Sequence, residues 1–273
     1  MQLYETIDEQ SAEMMATDSK IGVLATLDDE GYPHLTFLSS IQGYGERALT
    51  WGKFANGLSK RFIEERPEAG FLVLDASKRF LSGNARYTHS VNTGDVFDAY
   101  NNKPLFRYNS YMGFSRVYFM DLVGISKMMP LPMPAIVTGA ILSRVKALFL
   151  QTSEHAALPP VGKALFSELD SLKFLGFTDA SGALSIVPVV QATAAGSDRI
   201  VFTRSAFRRE LAAIPKGAKA AILCVNLRME SMLVKGVYSR GRLDIERVYN
   251  SMPPKMGYIY PRTARMEPVT DFE

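Results

Sequence analysis

The chain repeats itself, and that limits what it can fold into more than any single motif does. Ala25-Thr26-Leu27-Asp28-Asp29-Glu30-Gly31 reads as a strand end running into a turn, and Gly176-Phe177-Thr178-Asp179-Ala180-Ser181-Gly182 reads the same way 151 positions later. A strand follows each turn: Tyr32-Pro33-His34-Leu35-Thr36-Phe37-Leu38 in one copy, Ala183-Leu184-Ser185-Ile186-Val187-Pro188-Val189 in the other. Arg47-Ala48-Leu49-Thr50-Trp51 is then matched by Arg199-Ile200-Val201-Phe202, Ala69 to Leu74 by Ala218 to Leu223, Leu81-Ser82-Gly83 by Val234-Lys235-Gly236, and Arg116-Val117-Tyr118 by Arg247-Val248-Tyr249. The last offset falls to 131, so the first copy carries about twenty extra residues, placed at 90–112. Each copy reads as strand, turn, strand, turn, strand, short helix and three more strands. Short strands punctuated by turn signals and few helices predict small antiparallel barrels.

The expected fold class is therefore mainly β (α+β): two tandem six-stranded antiparallel split barrels with short flanking helices, forming an internal pseudo-dimer. The expected divisions are a first barrel at 1–127 with the insertion near 90–112, a connection at 128–157, and a second, degenerate barrel at 158–273. Helices are expected over 8–16, 59–65 and 135–150, and over a stretch opened by Pro159-Pro160, proline suiting a first helical turn.

Composition narrows the function classes. A net charge of +3 over 273 residues argues against a nucleic-acid partner. Cys224 is the single cysteine, which rules out an intramolecular disulfide and a thiolate zinc cluster, and its apolar run reads as a buried strand. The N-terminus shows no apolar signal region, and the longest charge-free stretch is too short and too proline-rich for a membrane span. A soluble, cytoplasmic protein with no membrane partner is expected. His34, His89 and His155 lie far apart and share no metal-ligand spacing, so no metal is expected. Gly43-Tyr44-Gly45-Glu46-Arg47-Ala48 fits a dinucleotide fingerprint formally, but a strand follows it where a helix is required, so it reads as a hairpin turn.

The segment Thr50-Trp51-Gly52-Lys53-Phe54-Ala55-Asn56-Gly57-Leu58-Ser59-Lys60-Arg61 carries the most chemistry. An aromatic strand end leads through a glycine-broken loop to a helix start with a hydroxyl and two cations. Ser59 reads as an N-cap. Free N–H groups, the positive end of the helix dipole and the charges of Lys60 and Arg61 suit a phosphate. A capped surface helix with solvated charges is the commoner outcome of such a pattern, and local sequence alone favours it. The insertion, with Tyr100, Asn101, Arg107, Tyr108, Asn109 and Tyr111, reads equally as a binding surface or as a loop covering a barrel end.

The order Ile21-Gly22-Val23-Leu24-Ala25-Thr26, turn, Pro33 to Phe37, turn, Leu49-Thr50-Trp51-Gly52, Ser59-Lys60, Pro67 to Leu74 resembles the FMN-binding split barrel of the pyridoxamine 5′-phosphate oxidase-like superfamily, in its tandem-barrel branch. The resemblance is clear over 19–123 and fainter over 172–249. It implies FMN as cofactor. It implies that Ser59, Lys60 and Arg61 hold the flavin phosphate, and that His34, Leu35, Thr36, Phe37, Thr50, Trp51, Gly52 and Lys53 lie along the ring. Arg107 and Asn109 would cover it. Paired barrels usually hold the flavin at their interface, which a tandem chain could supply internally. The second copy has Thr203-Arg204-Ser205-Ala206-Phe207-Arg208-Arg209 in place of Gly-Leu-Ser-Lys, so one flavin per chain is expected. The C-terminal arginine- and tryptophan-containing segment of the oxidase proper has no counterpart, since Trp51 is the single tryptophan. The expected function is a flavoprotein oxidoreductase acting on a small molecule or on NAD(P)H, with chain pairing into a homodimer left open. The alternative is a non-catalytic flavin- or haem-binding split barrel, with His34, His89 and His155 as axial candidates for haem. No proton donor is singled out, His34, Lys53 and Tyr111 standing as candidates.

Overall fold

The computed structural model describes residues 2–54, 57–103, 113–150, 156–228, 230–251 and 256–261. The elements run α1 (Glu9–Ala16), β1 (Lys20–Leu27), β2 (Pro33–Phe37), β3 (Gln42–Tyr44), β4 (Ala48–Lys53), α2 (Leu58–Glu65), β5 (Glu68–Asp75), β6 (Arg79–Val91), α3 (Asp95–Asn102), β7 (Arg116–Ile125) and β8 (Met129–Pro130). They continue with α4 (Met133–Leu148), α5 (Pro160–Ser167), β9 (Leu172–Thr178), β10 (Leu184–Pro188), β11 (Thr193–Ala195), β12 (Arg199–Val201), α6 (Arg208–Ala213), β13 (Lys219–Val225), β14 (Ser231–Tyr238), β15 (Arg242–Asn250) and β16 (Gly257–Tyr260).

The strands form two sheets with one strand order. The first runs β2-β1-β5-β6-β7-β4-β3 with β8 beside β6; the second runs β10-β9-β13-β14-β15-β12-β11 with β16 beside β15. Each sheet has eight strands. The six expected in each copy are there, and two short ones join them. One addition has a plain cause: Gln42–Tyr44, which reads from sequence as part of a turn, pairs with β4, and the reversal is confined to the residues after it.

The turns explain why the repeat is visible in sequence. Gly31 and Gly182 have φ of 79° and 87°, and Gly45 and Gly196 have 63° and 69°, each pair being 151 residues apart. A left-handed backbone there favours glycine. Asp28 and Asp179 brace the first turn of each copy, their Oδ1 atoms accepting from Glu30 N at 3.0 Å and Ser181 N at 2.9 Å. Turn register also corrects one alignment: Ala48 and Arg199 both follow the second turn, facing Tyr44 and Ala195, so the residue matched to Arg199 is Ala48 rather than Arg47.

The chain divides into two compact units. The first comprises Met1–Leu27, Thr36–Leu131 and Ala183–Ser185; the second comprises Asp28–Leu35, Pro132–Gly182 and Ile186–Glu273. The first unit's core gathers Leu24, Leu49, Trp51, Phe71, Val73, Leu81, Tyr118 and Met120. The second gathers Phe166, Leu175, Phe177, Ile200, Phe202, Ile222, Val234 and Val248. β5 and β13 are buried along nearly their whole length, so both faces of each strand are covered. Cys224 lies in this wall, and burial pushes its thiol up to about 11, which makes it packing material rather than a nucleophile.

The helices expected from sequence form with shifted ends. Asp8 caps α1 through Ser11 N at 2.8 Å. The connection helix covers Met133–Leu148 with proline in its first turn, and α5 begins at Pro160. Of the insertion, β6 claims residues to Val91 and α3 follows; residues 104–112 lie outside the described set. Among the described residues, no helix is long and apolar enough to cross a membrane, and no group of His, Cys, Asp and Glu side chains is arranged to hold a metal.

Candidate functional site

The corner where β4 leads into α2 collects the predicted phosphate residues. Trp51 is fully buried and stacks on Tyr118 across the β4–β7 ladder, ring centroids 4.2 Å apart and planes 11° from parallel. The Tyr118 hydroxyl lies 2.8 Å from Glu64 Oε1 of α2, which ties the helix to this wall. Burial pushes the Tyr118 hydroxyl pKa upward, so it stays a donor.

α2 begins one residue earlier than the sequence suggests. Gly57, with extended φ and ψ of −133° and 162°, is the N-cap, and no side chain caps the helix. Ser59 is therefore not the cap. It is the second helical residue, with its side chain buried. The reason is local: a glycine immediately before an apolar residue takes the extended cap conformation at little cost, which leaves the serine inside the turn. The first-turn N–H groups are thus without a side-chain acceptor of the kind that usually satisfies them.

Lys60 follows, its Nζ 5.9 Å from the Trp51 ring centroid. Burial, and then repulsion from Lys53, lower its pKa to about 8. Among the described residues it has no carboxylate partner. Trp51 Nε1 is buried and likewise has no hydrogen-bond acceptor among them. A buried donor without an acceptor is uncommon and calls for an explanation. Two cations, an unmatched indole N–H and an uncapped helix start therefore converge on a place where no described residue supplies an acceptor. An anion such as a phosphate ester would supply one, and the residues present suit such a group.

The other predicted residues are distributed as follows. Arg61 is exposed, with Nε 3.9 Å from Glu65 Oε1 and its guanidinium over the Phe62 ring. Thr50 is buried, its Oγ1 3.0 Å from the Tyr100 hydroxyl, which also lies 3.0 Å from the Ser40 carbonyl oxygen. Gly52 N donates to Ser40 Oγ at 3.1 Å. The Phe114 ring fills the space a side chain at 52 would need, 2.3 Å from an ideal Cβ. Asn101 fixes Phe114 by accepting from its N at 2.8 Å. Tyr100 of the insertion thus packs with Phe114 and Val117, which follow it, as a cover over β4. Thr36 and Phe37 are partly exposed at the end of β2. His34 and Leu35 belong to the second unit, where His34 meets the Tyr249 ring edge-on at 4.8 Å and Leu35 packs under Gly176. Arg107 and Asn109, like Tyr111 and His155, lie outside the described residues.

Sequence reasoning missed a polar cluster in the second unit. Lys235 is fully buried, with Nζ 2.8 Å from Asp28 Oδ2 and 2.9 Å from the Tyr258 hydroxyl. Around it, Tyr32 bonds Glu246, and Arg247 pairs with Glu30. Lys235 sits in a run of apolar residues, Met232-Leu233-Val234-Lys235, and that interruption is the available signal.

No protein-family model and no curated protein matches the chain. Solved structures do resemble it. An FMN-binding protein from Syntrophomonas wolfei is 17% identical over 43% of this chain and 83% of its own length, with a TM-score of 0.38. A putative pyridoxamine 5′-phosphate oxidase from Lactobacillus delbrueckii is 13% identical over 46% and 99%, with a TM-score of 0.37. HupZ from Group A Streptococcus is 12% identical over 44% and 91%, also with a TM-score of 0.37.

Proposed function

We propose that the chain binds FMN at the first unit's β4–α2 corner, and that the bound flavin exchanges electrons with a small-molecule substrate or with NAD(P)H. The observation that carries this reading is that, among the described residues, Lys60 has no carboxylate partner, Trp51 Nε1 beside it has no acceptor, and no side chain caps the start of α2. In this reading Lys60, Ser59 and the first-turn N–H groups hold the phosphate, and Lys53 adds charge. Ser40, Tyr100 and Phe114 fix β4 so that the ring has a rigid edge to lie along. The flavin itself supplies the redox chemistry. One flavin per chain is assigned, because α4 fills the equivalent corner of the second unit.

The same cover favours a second reading. Phe114 closes Gly52, and Tyr100 occupies the Thr50 hydroxyl, so a flavin there would be shielded on that side. Shielding suits a non-catalytic flavin-binding protein. A haem reading rests on His89, which is exposed and stacked on Phe119 at 4.5 Å.

An absorbance spectrum of the purified protein, before and after adding FMN and desalting, tests all three. Flavin bands near one equivalent per chain are expected, and bleaching under NADH or NADPH then separates the enzyme from the carrier. A Soret band replaces the flavin reading with the haem one. The double variant Ser59→Ala, Lys60→Ala is expected to lose the flavin on desalting. Unchanged affinity in that variant removes the phosphate assignment.

A further inference from the structure

We propose that the outer face of α4 is the contact surface of a symmetric dimer, its occupant being the same helix of a second copy of this chain. The inward side of α4 is settled. Ile136, Gly139 and Ser143 are buried. Ser143 Oγ accepts from Thr203 N at 3.0 Å and donates to Gly139 O at 2.7 Å, so the helix is fastened to the segment following β12 and is presented as a rigid element.

The outward side presents six large apolar side chains, with Thr138 and Arg144 the exposed polar residues among them. Val137 is 54% exposed, Ile141 62%, Leu142 50%, Val145 46%, Leu148 83% and the adjoining Phe149 82%. Spacings of four, four and three put Val137, Ile141, Val145 and Leu148 in one line, with Leu142 and Phe149 beside it. Six large apolar side chains on one face of a helix exceed what scattered surface hydrophobics explain.

Three observations choose the occupant. The helix carries no acidic residue, and its two cations are turned to backbone carbonyls: Arg144 donates to Ser167 O at 2.7 Å and Lys146 to Gly241 O at 3.1 Å. A face without a free cationic rim is poorly suited to anionic lipid headgroups, which interfacial helices engage with lysine and arginine around the apolar stripe. The face also lacks the charge pattern that would select an unlike partner, whereas an apolar line of this spacing is complementary to itself. The area agrees: the six side chains offer roughly 600 Å² per chain, so a two-fold pair covers about 1,200 Å², the lower bound for a stable association.

Light scattering after size exclusion, on the full chain from about 1 to 100 µM, tests this. A dimer is expected, and the variant Ile141→Lys, Leu148→Lys should be monomeric with an unchanged circular dichroism spectrum, its dimer dissociation constant raised at least tenfold. If that variant fails to fold, Val145→Cys answers the same question. Cys224 is buried, so a disulfide-linked dimer formed on mild oxidation reports the introduced thiol. A monomeric wild type at the highest concentration, a dimer that survives both lysines, or no cross-link from position 145 each overturns the proposal. Binding of a monomeric wild type to phosphatidylserine vesicles would overturn it in favour of a membrane surface. None of these readouts depends on flavin, so the dimer stands or falls separately from the phosphate site.

Discussion

The β4–α2 corner of the first unit and the β12–α6 corner of the second have the same strand order and the same turn glycines, yet they end differently. Counting from Gly45 and Gly196 matches Trp51 with Phe202, Gly52 with Thr203 and Lys53 with Arg204. In the first unit a fully formed helix starts at Leu58 and holds Lys60 near Trp51, with no counter-charge among the described residues. In the second, α6 has six residues, its preceding Phe207 is in the left-handed region, and Arg204, Arg208 and Arg209 are exposed. The space beside Thr203 is taken by α4, with Thr203 Oγ1 3.3 Å from Gly139 O. Duplicating a fold duplicates the backbone frame. It does not duplicate a site, because a site needs charges that the frame leaves unmatched, and those vary freely in sequence.

The largest expected effect breaks the comparison outright. Lys60→Glu should weaken FMN binding by about 10- to 100-fold, the worth of one charge-assisted hydrogen bond to a phosphate. Arg204→Glu, its reversal at the second corner, should leave the affinity unchanged. Titration of flavin fluorescence reads both, and equal effects from the two variants would erase the distinction between the corners. Next in size is packing. A Cβ on Gly139 would stand 2.2 Å from Ser205 Oγ and 2.8 Å from Thr203 Oγ1. Gly139→Val should therefore cost about 1–3 kcal/mol, seen as a lowered melting temperature with flavin affinity retained. Gly52→Thr, which installs the second unit's residue in the first, should cost as much against Phe114 and in addition disturb flavin binding. An unaltered melt for either would show the packing there to be slack.

These contrasts also mark what the sequence could and could not carry. Turn residues such as Asp28 and Gly31 act within four positions of themselves, so the repeat, the strand order and most helices are legible. The Gln42–Tyr44 strand is not, because three residues beside a glycine turn carry no alternation. Ser59 reads as a cap by residue type, but Gly57 competes for that place two residues earlier and takes it. The motif points to Lys60, yet that no described carboxylate pairs with it is a fact about what does not approach it, and only folding reveals that. Lys235 and Asp28 are 207 residues apart, and nothing local pairs them. Their pairing predicts a test of its own. Asp28→Ala removes the carboxylate that faces a buried ammonium and should cost about 3–5 kcal/mol. Asp179→Ala, in the same turn of the other copy, should cost well under half of that, because Asp179 is only half-buried and its carboxylate braces a turn rather than neutralising a buried lysine. Chemical denaturation of the two variants side by side reads the difference, and equal losses would show that the buried pair adds nothing beyond the turn.

The smallest effect separates binding from stability at Lys60 itself. Its pKa is about 8 in the folded chain and 10.5 is the ordinary value, so between those limits the folded state holds fewer protons than the unfolded one. Stability therefore gains as pH rises through that window, and the full penalty of the buried ammonium is present below pH 8. A phosphate needs the ammonium form, so FMN affinity should move the opposite way and fall above pH 8. Lys60→Met removes the charge and keeps the stem. At about pH 7 it should raise the melting temperature of the flavin-free protein by a few degrees, while lowering flavin retention, and the gain should shrink by about pH 10. Lys20 and Lys173 are also lowered to about 8 by burial and add slopes of the same sign. The difference between wild type and variant at each pH isolates the Lys60 part. A variant less stable than wild type at neutral pH would mean that the ammonium is already satisfied in the flavin-free protein, and the corner would then be structural, like its counterpart in the second unit.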